Sequence, residues 1–127
     1  MGKITGLGGV FIKSADPKAL AAWYQEHLGI DFNGNIYVDF SLTDKDGTVF
    51  PGANVLSFFK QESNYFQPSD KQTMINLRVS DMEGFLKTLA DKGVNMVGEP
   101  MNEDYGKFAW IMDPEGNKIE LWEPPQK

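Results

Sequence analysis

The sequence predicts an α+β protein in which two βαβββ modules form a curved mixed sheet around a pocket, with the helices on its outer face. One observation is an internal repeat. When Val10 is aligned with Ile75, a strand, an aspartate, a helical segment and a glycine recur in the same order. The other observation is that hairpin-like segments follow both helical segments. We expect one domain over residues 1–127, with modules at about 1–66 and about 71–127.

Each module opens with a strand in which aliphatic residues alternate with other types. Because neighbouring side chains of a strand point to opposite faces, the aliphatic set is expected to face the helices. This set comprises Val10, Ile12, Ile75, Leu77 and Val79, with Ile119 and Leu121 in the last strand. The opposite face mixes polar, charged and aromatic residues, which favours strands that line a cavity, with plain solvent exposure as the alternative. Its members include Phe11, Met74, Asn76, Arg78, Glu120 and Trp122.

The helical segments carry matching signals at their ends. Asp16 and Asp81 are suited to the N-cap, where a short carboxylate accepts hydrogen bonds from free amides of the first turn. Gly29 and Gly93 are expected to end the helices, while Gly84 weakens the start of the second one. The predicted buried faces are Leu20, Trp23, Tyr24, His27 and Leu28 in the first helix, and Met82, Phe85, Leu86 and Leu89 in the second.

Alternating segments bounded by turn residues predict the remaining strands. They lie at 35–43 and 53–60 in the first module, with a short strand starting at Ile30, and at 94–98, 106–112 and 117–123 in the second. The turn at 113–117, Asp-Pro-Glu-Gly-Asn, is a strong hairpin signal. The polar segment 61–70 is expected to link the modules.

Composition argues against several classes of protein. A net charge of −6 does not suit nucleic acid, whose phosphates need a basic surface. No segment approaches the roughly 18 consecutive apolar residues of a membrane span. Cysteine is absent, which excludes thiolate chemistry and zinc–thiolate sites. Without a signal-like N-terminus, a cytoplasmic location is expected by elimination.

Two segments resemble the vicinal-oxygen-chelate superfamily, which includes glyoxalase I, bleomycin-binding resistance proteins, fosfomycin-modifying enzymes and extradiol dioxygenases. They are GLGGVFIKSADPKALAAWYQEHLGI, at residues 6–30, and YGKFAWIMDPEGNKIELWEP, at residues 105–124. The resemblance implies paired modules around a pocket. It also implies a homodimer, with the site formed within one chain or between two chains that exchange modules.

The metal enzymes of this superfamily place ligands at positions that correspond here to Gly9, Met74 and Glu120. Only the last of these can bind a metal ion. The carboxylate that glyoxalases add late in the first module has no counterpart between Gly47 and Gln61. Because a divalent ion needs several converging ligands, we expect neither a metal nor another cofactor.

Glu120 is the main candidate site residue. In an apolar pocket its carboxylate could bind a ligand or act as a general acid or base. Alternatively, it is a structural residue paired with Lys118, Arg78 or Lys13. Asn76 and Arg78 could hydrogen-bond a ligand, and the predicted apolar contacts are Phe11, Met74 and Trp122.

Three functions stay open on the sequence alone. The favoured one is the metal-independent binding of a small molecule, for which the acidic composition suits a cationic ligand. The second is a metal-independent enzyme that uses Glu120 with Asn76 or Arg78. The third is a metal-dependent lyase or dioxygenase, which needs at least two further ligands in the pocket.

Overall fold

A computed structural model describes residues 2–125, with the side chains of 49–52 left aside. The strands are β1 (Lys3–Ser14), β2 (Tyr37–Thr43), β3 (Val49–Lys60), β4 (Thr73–Ser80), β5 (Met101–Glu103), β6 (Gly106–Met112) and β7 (Lys118–Glu123). The helices are α1 (Pro17–Leu28) and α2 (Met82–Asp91). Neither helix of this part of the chain is long and apolar enough to cross a membrane.

The seven strands form one open mixed sheet in the order β2-β3-β1-β4-β7-β6-β5. In each module the first strand pairs in parallel with the last one, as β1 does with β3 and β4 with β7. The modules meet where β1 and β4 run antiparallel. This arrangement confirms the predicted α+β fold class.

The register between β1 and β4 shows how the repeat is built into the sheet. Gly9 lies opposite Asn76, and Phe11 lies opposite Met74. In the sequence repeat, Gly9 corresponds to Met74 and Phe11 corresponds to Asn76. An approximate two-fold axis between the strands exchanges these two pairs, so residues that match in sequence are neighbours at the centre of the sheet.

Two predicted strands are wrong. No strand starts at Ile30, because α1 is followed directly by the loop to β2. In the second module the short strand lies at Met101–Glu103 instead of 94–98, where Met96 makes only an isolated bridge to Ile111. Gly98 has a φ of 68°, and Pro100 lacks an amide hydrogen, so regular pairing cannot run through this segment.

Helix α1 begins and ends as predicted but buries a different face. The side chain of Asp16 accepts a hydrogen bond from the amide of Ala19, and Gly29 adopts the left-handed conformation after the last turn. Leu20, Ala21 and Tyr24 pack toward the sheet, whereas Trp23 is 50% exposed and Leu28 is 57% exposed. The predicted face was too broad because helical periodicity alone does not locate the sheet.

Helix α2 packs through the predicted residues, and its glycine has a structural reason. Asp81 accepts a hydrogen bond from the amide of Gly84 at 3.2 Å. A Cβ atom at Gly84 would collide with that same aspartate side chain. The glycine therefore permits the N-cap that begins the helix.

Hydrophobic clusters show which strand face each helix covers. The cluster under α2 is centred on Val79, Met82, Ala109 and Leu121, and the cluster under α1 is centred on Ala21, Phe32 and Phe58. We call this side of the sheet the helix face. Five of the aliphatic residues predicted to face the helices lie in these clusters, namely Ile12, Leu77, Val79, Ile119 and Leu121, whereas Ile75 is 37% exposed.

Residues 61–70 do not simply link the modules. They fold back over the opposite side of the sheet, where Phe66 is 0% exposed and packs with Phe11 and Met74. We call residues 61–70 the strap, and the sheet side that they cover the strap face. The predicted linker therefore contributes buried side chains to the protein interior, those of Phe66 and Ser69.

Candidate ligand site

Glu120 lies on the strap face of β7 and is 3% exposed. Its Oε1 accepts a hydrogen bond from Nδ2 of Asn76 at 2.6 Å. Its Oε2 accepts one from Nε1 of Trp110 at 3.0 Å and another from the hydroxyl of Tyr65. All three donors are neutral side chains, so the carboxylate is held by hydrogen bonds instead of the ion pairs considered from sequence.

Strand register places two of these donors. Asn76 lies opposite Glu120 in the pairing of β4 with β7, and Trp110 lies opposite Glu120 in the pairing of β6 with β7. Directly opposed residues of neighbouring strands have side chains on the same face and in contact. Glu120 therefore has a hydrogen-bond donor on each of the two strands that flank β7.

Tyr65 comes from the strap. Its ring stacks on Phe59 with centroids 5.6 Å apart and meets Trp110 edge-on at 6.2 Å. Burial, followed by the negative charge of Glu120, raises the pKa of Tyr65 well above its usual value. The hydroxyl therefore stays protonated at neutral pH and acts as a hydrogen-bond donor.

Lys118 connects the strap to β7. Its Nζ donates a hydrogen bond to the backbone oxygen of Tyr65 at 2.6 Å and lies 5.2 Å from the centre of that ring. Burial lowers the pKa of Lys118, whereas the charge of Glu120 acts in the opposite direction. One cation thus contacts the strap and balances the carboxylate.

A cavity of about 100 Å³ lies beside the carboxylate. Asn76 is 3% exposed, and its Oδ1 has no hydrogen-bond partner in the described structure. A Cβ atom at Gly8 would collide with this oxygen, so the glycine lets the Asn76 side chain pack directly against β1. The cavity is lined by Gly8, Phe11, Val55, Asn76, Phe108, Glu120 and Trp122.

Arg78 packs on the wall of this cavity. Its guanidinium carbon lies 5.1 Å from the ring centre of Trp122, and its Nη2 donates a hydrogen bond to the backbone oxygen of Ala53. Its Nε is buried without a partner, and burial lowers the pKa of the side chain. The register partner of Arg78 on β1 is Gly6, which has no side chain.

A larger groove of about 670 Å³ lies on the other side of the strap. Phe59, the stacking partner of Tyr65, forms part of its wall. The lining residues are Ile36, Tyr37, Ser57, Phe58, Phe59, Lys60, Glu62, Ser63 and Asn64. The strap thus forms part of the wall of this groove and also contacts Glu120 through Tyr65.

A model of the glyoxalase-like domain matches residues 9–122. The chain belongs to the glyoxalase-like domain family. This confirms the resemblance seen in the opening and closing segments of the sequence. None of the curated protein sequences matches the chain.

Solved structures share this fold at low sequence identity. Methylmalonyl-CoA epimerase from Mycobacterium tuberculosis is 22% identical, with a TM-score of 0.63 over 97% of this chain and 90% of that chain. The Streptomyces coelicolor methylmalonyl-CoA epimerase is 17% identical, with a TM-score of 0.66 over 98% and 100%. A glyoxalase/bleomycin resistance protein/dioxygenase superfamily member from Vibrio splendidus is 14% identical, with a TM-score of 0.58 over 95% and 99%.

The metal positions of glyoxalase-like enzymes do not form a matching ligand set in this chain. Gly9 offers no side chain, and Met74 is buried against the strap. The lone pairs of Glu120 already accept three hydrogen bonds. Across residues 2–125, no three His, Cys, Asp or Glu side chains come together as metal ligands. These residues do not fit a divalent ion of the usual kind.

The glyoxalase-like fold brings most of the predicted site residues together. Glu120, Asn76, Phe11 and Trp122 line one cavity, and Arg78 packs against its wall. Met74 lies apart from the cavity lining, in the cluster beneath the strap.

Sequence reasoning missed three contributors to this site. Tyr65 lies in the segment predicted as a linker, and Trp110 and Gly8 were not among the predicted site residues. The available signal for Tyr65 was the adjacent pair of aromatic residues, Tyr65 and Phe66, inside an otherwise polar segment.

Proposed function

We propose that this glyoxalase-like protein binds a small molecule at Glu120 without the help of a metal ion. The observation that carries the proposal is the unpartnered Oδ1 of Asn76, which packs against Gly8 in the lining of the cavity. A buried acceptor without a donor costs about 1–3 kcal/mol. A ligand that offers an N–H or O–H group at this position would recover much of that cost.

The local charges favour a neutral or anionic ligand. Although the chain has a net charge of −6, Lys13, Arg78 and Lys118 all lie on the strap face together with Glu120. An additional cation would meet these three side chains while Glu120 is already engaged. The cationic ligand suggested by overall composition is therefore disfavoured.

The proposed contacts follow from the geometry. Asn76 accepts a hydrogen bond from the ligand, and Phe11 and Trp122 contact its apolar surface. Arg78, which packs on the cavity wall, would bind an anionic group of the ligand. Met74 supports the wall from behind, as part of the cluster under the strap.

The test uses probes small enough for a cavity of about 100 Å³: acetamide, acetate and methylammonium. Each is titrated into 15N-labelled protein, and amide shifts are recorded by NMR. We expect acetamide and acetate, but not methylammonium, to shift the signals of Gly8 and Asn76. Gly8→Ala should abolish these shifts, because the added Cβ collides with Asn76 Oδ1.

Gly6→Ala is the matched control. Gly6 lies on the same strand, and a Cβ atom there meets nothing within 4 Å. This variant should bind the probes as the wild type does. Equal binding by both alanine variants, or methylammonium binding as tightly as acetamide, would contradict the proposal. Metal analysis of the purified protein should find no stoichiometric divalent ion.

A second candidate is a metal-independent enzyme in which Glu120 moves a proton. It is favoured by the similarity to two methylmalonyl-CoA epimerases. The Glu120 carboxylate accepts hydrogen bonds from Tyr65, Asn76 and Trp110. One of these donors would have to be released before Glu120 could act as a base. Incubation with methylmalonyl-CoA in D2O tests this candidate. If Glu120 moves a proton, the substrate takes up deuterium with the wild-type protein and not with Glu120→Gln.

The homodimer expected from the family resemblance, with or without exchanged modules, remains a prediction. Light scattering of the wild-type protein checks it, and a dimer mass is the expected result. A monomer mass across a wide concentration range would remove the possibility that two chains share the site.

A further inference from the structure

The strap is attached to the sheet by a small number of side-chain contacts. These are the hydroxyl of Tyr65 on Glu120, Lys118 on the backbone oxygen of Tyr65, and the buried ring of Phe66. The strap's backbone hydrogen bonds are local, as from Gln67 to Asn64 and from Ser69 to Phe66. It is therefore held by its side chains rather than by pairing with a strand.

The base of the strap is closed by a reciprocal pair of amides. Nε2 of Gln61 donates to Oε1 of Gln72 at 2.7 Å, and Nε2 of Gln72 donates to Oε1 of Gln61 at 2.9 Å. Both side chains are exposed, so water can replace these bonds at little cost. Release of Tyr65 and Phe66 thus requires no change in the sheet itself.

Cavity size decides which ligands can enter beside Tyr65. A buried apolar cavity of about 150 Å³ is known to accommodate benzene. The cavity at Glu120 is about 100 Å³, which suits a small functional group. A ring buried against Glu120 would therefore gain its room by taking the place of the Tyr65 ring.

The place occupied by Tyr65 has a definite chemistry. Phe59 offers a flat surface for stacking, and Trp110 offers an edge-on contact. Glu120 accepts the hydroxyl hydrogen at the end of the ring. With Tyr65 removed, the place between Phe59 and Trp110 would open beside Glu120.

We propose that Tyr65 is an internal ligand, and that the external ligands of this site are phenol-type molecules that displace it from Glu120. This inference rests on the proposed binding function and names the ligand class. The ligand binds only when the strap is released, so its apparent affinity is the intrinsic affinity multiplied by the fraction of molecules in which the strap is open. Removing the Tyr65 side chain abolishes that competition.

The experiment compares the binding of 4-methylphenol to wild-type protein and Tyr65→Ala by NMR titration and thermal shift. The variant should bind this probe about tenfold or more tightly than the wild type, since its site no longer contains a competing ring. 4-Methylanisole, which has the same ring without the hydroxyl donor, should bind Tyr65→Ala much more weakly. Tyr105→Ala is the control, because it deletes an exposed tyrosine on the β5–β6 turn.

In the wild type, saturating 4-methylphenol should shift the strap amides together with the indole N–H signal of Trp110. This measurement does not depend on the folding of Tyr65→Ala. Unchanged strap amides, equal binding of the anisole, or an equal gain in Tyr105→Ala would each overturn the inference.

The two proposals can fail separately. If acetamide gives shifts that depend on Gly8 but 4-methylphenol fails, only the ligand class and the role of Tyr65 are wrong. If no probe gives shifts that depend on Gly8, the binding function itself is wrong.

Discussion

The two faces of the sheet are covered in different ways. The helix face is sealed by α1 and α2, whose backbone hydrogen bonds are internal and whose apolar residues pack on aliphatic strand residues. The strap face is sealed by residues 61–70, which rely on Tyr65, Phe66 and the hydrogen bond from Lys118. We therefore expect the helix face to contribute more to the stability of the fold than the strap face does.

This difference explains where polar chemistry is placed. On the helix face, a buried carboxylate would lie among aliphatic side chains that cannot donate hydrogen bonds. On the strap face, Glu120 is surrounded by donors from three different segments of the chain. The repeat supplies two equivalent halves of the sheet, yet only the second half carries the carboxylate.

The difference between the two faces can be tested by removing one buried apolar side chain from each face. Leu121→Ala should lower the free energy of unfolding by about 3 kcal/mol, as expected for a fully buried leucine. Phe66→Ala, although it removes a larger side chain, should cost only about 2 kcal/mol or less, because the strap can detach locally. Urea denaturation followed by circular dichroism measures both values.

An equal or larger cost for Phe66→Ala would show that the strap is as integral to the fold as the helices. In that case ligand exchange through strap release would be excluded.

Lys118→Met probes the attachment of the strap. Loss of the hydrogen bond to the backbone oxygen of Tyr65 should reduce the local opening free energy of the strap by about 1–2 kcal/mol. Hydrogen exchange of the strap amides should therefore become faster, while the amides of β4 should change much less. Lys87→Met, at an exposed position on α2, is the control and should leave strap exchange unchanged. Uniform acceleration in the sheet would contradict the separation of the two faces.

The pH dependence of stability tests the buried hydroxyl. Because the pKa of Tyr65 is raised in the folded state, its stabilising effect is complete below the unfolded tyrosine pKa of about 10 and is lost as pH rises further. The wild type should therefore lose stability relative to Tyr65→Phe above about pH 10. Denaturation of both proteins in a pH series gives the difference, and parallel curves would show that Tyr65 is not buried against Glu120.

The outer surface of α1 should give the smallest effect. Leu28 was expected to be buried but is 57% exposed, so Leu28→Lys should change the free energy of unfolding by no more than about 0.5 kcal/mol. Thermal unfolding checks this value. A loss as large as that of Leu121→Ala would mean that this surface is covered in the assembled protein.

Much of the fold was predictable because its signals are local. Asp16 and Asp81 cap their helices, and the turn before β7 lies at the predicted residues. The strand predicted at 94–98 is wrong because apolar residues indicated pairing that Gly98 and Pro100 prevent. The buried face of α1 was assigned too widely because periodicity does not show which residues meet the sheet.

The site was predictable in part. Alternation along β4 and β7 put Asn76 and Glu120 on the face opposite the helices, where the structure has them. Trp110 could be assigned to Glu120 only through the register of β6 with β7. This pairing of Trp110 with Glu120 was not predicted from the sequence.

The sequence by itself determined the duplicated α+β fold, the helix caps and the residue types that face away from the helices. Its alternating patterns also separated the two faces of the sheet, because strand geometry is local. Only the tertiary structure decided that Tyr65, 55 residues from Glu120, completes the carboxylate's hydrogen bonds. The physical reason is that the strap is irregular and polar, so its position depends on long-range contacts that leave no periodic trace in the sequence.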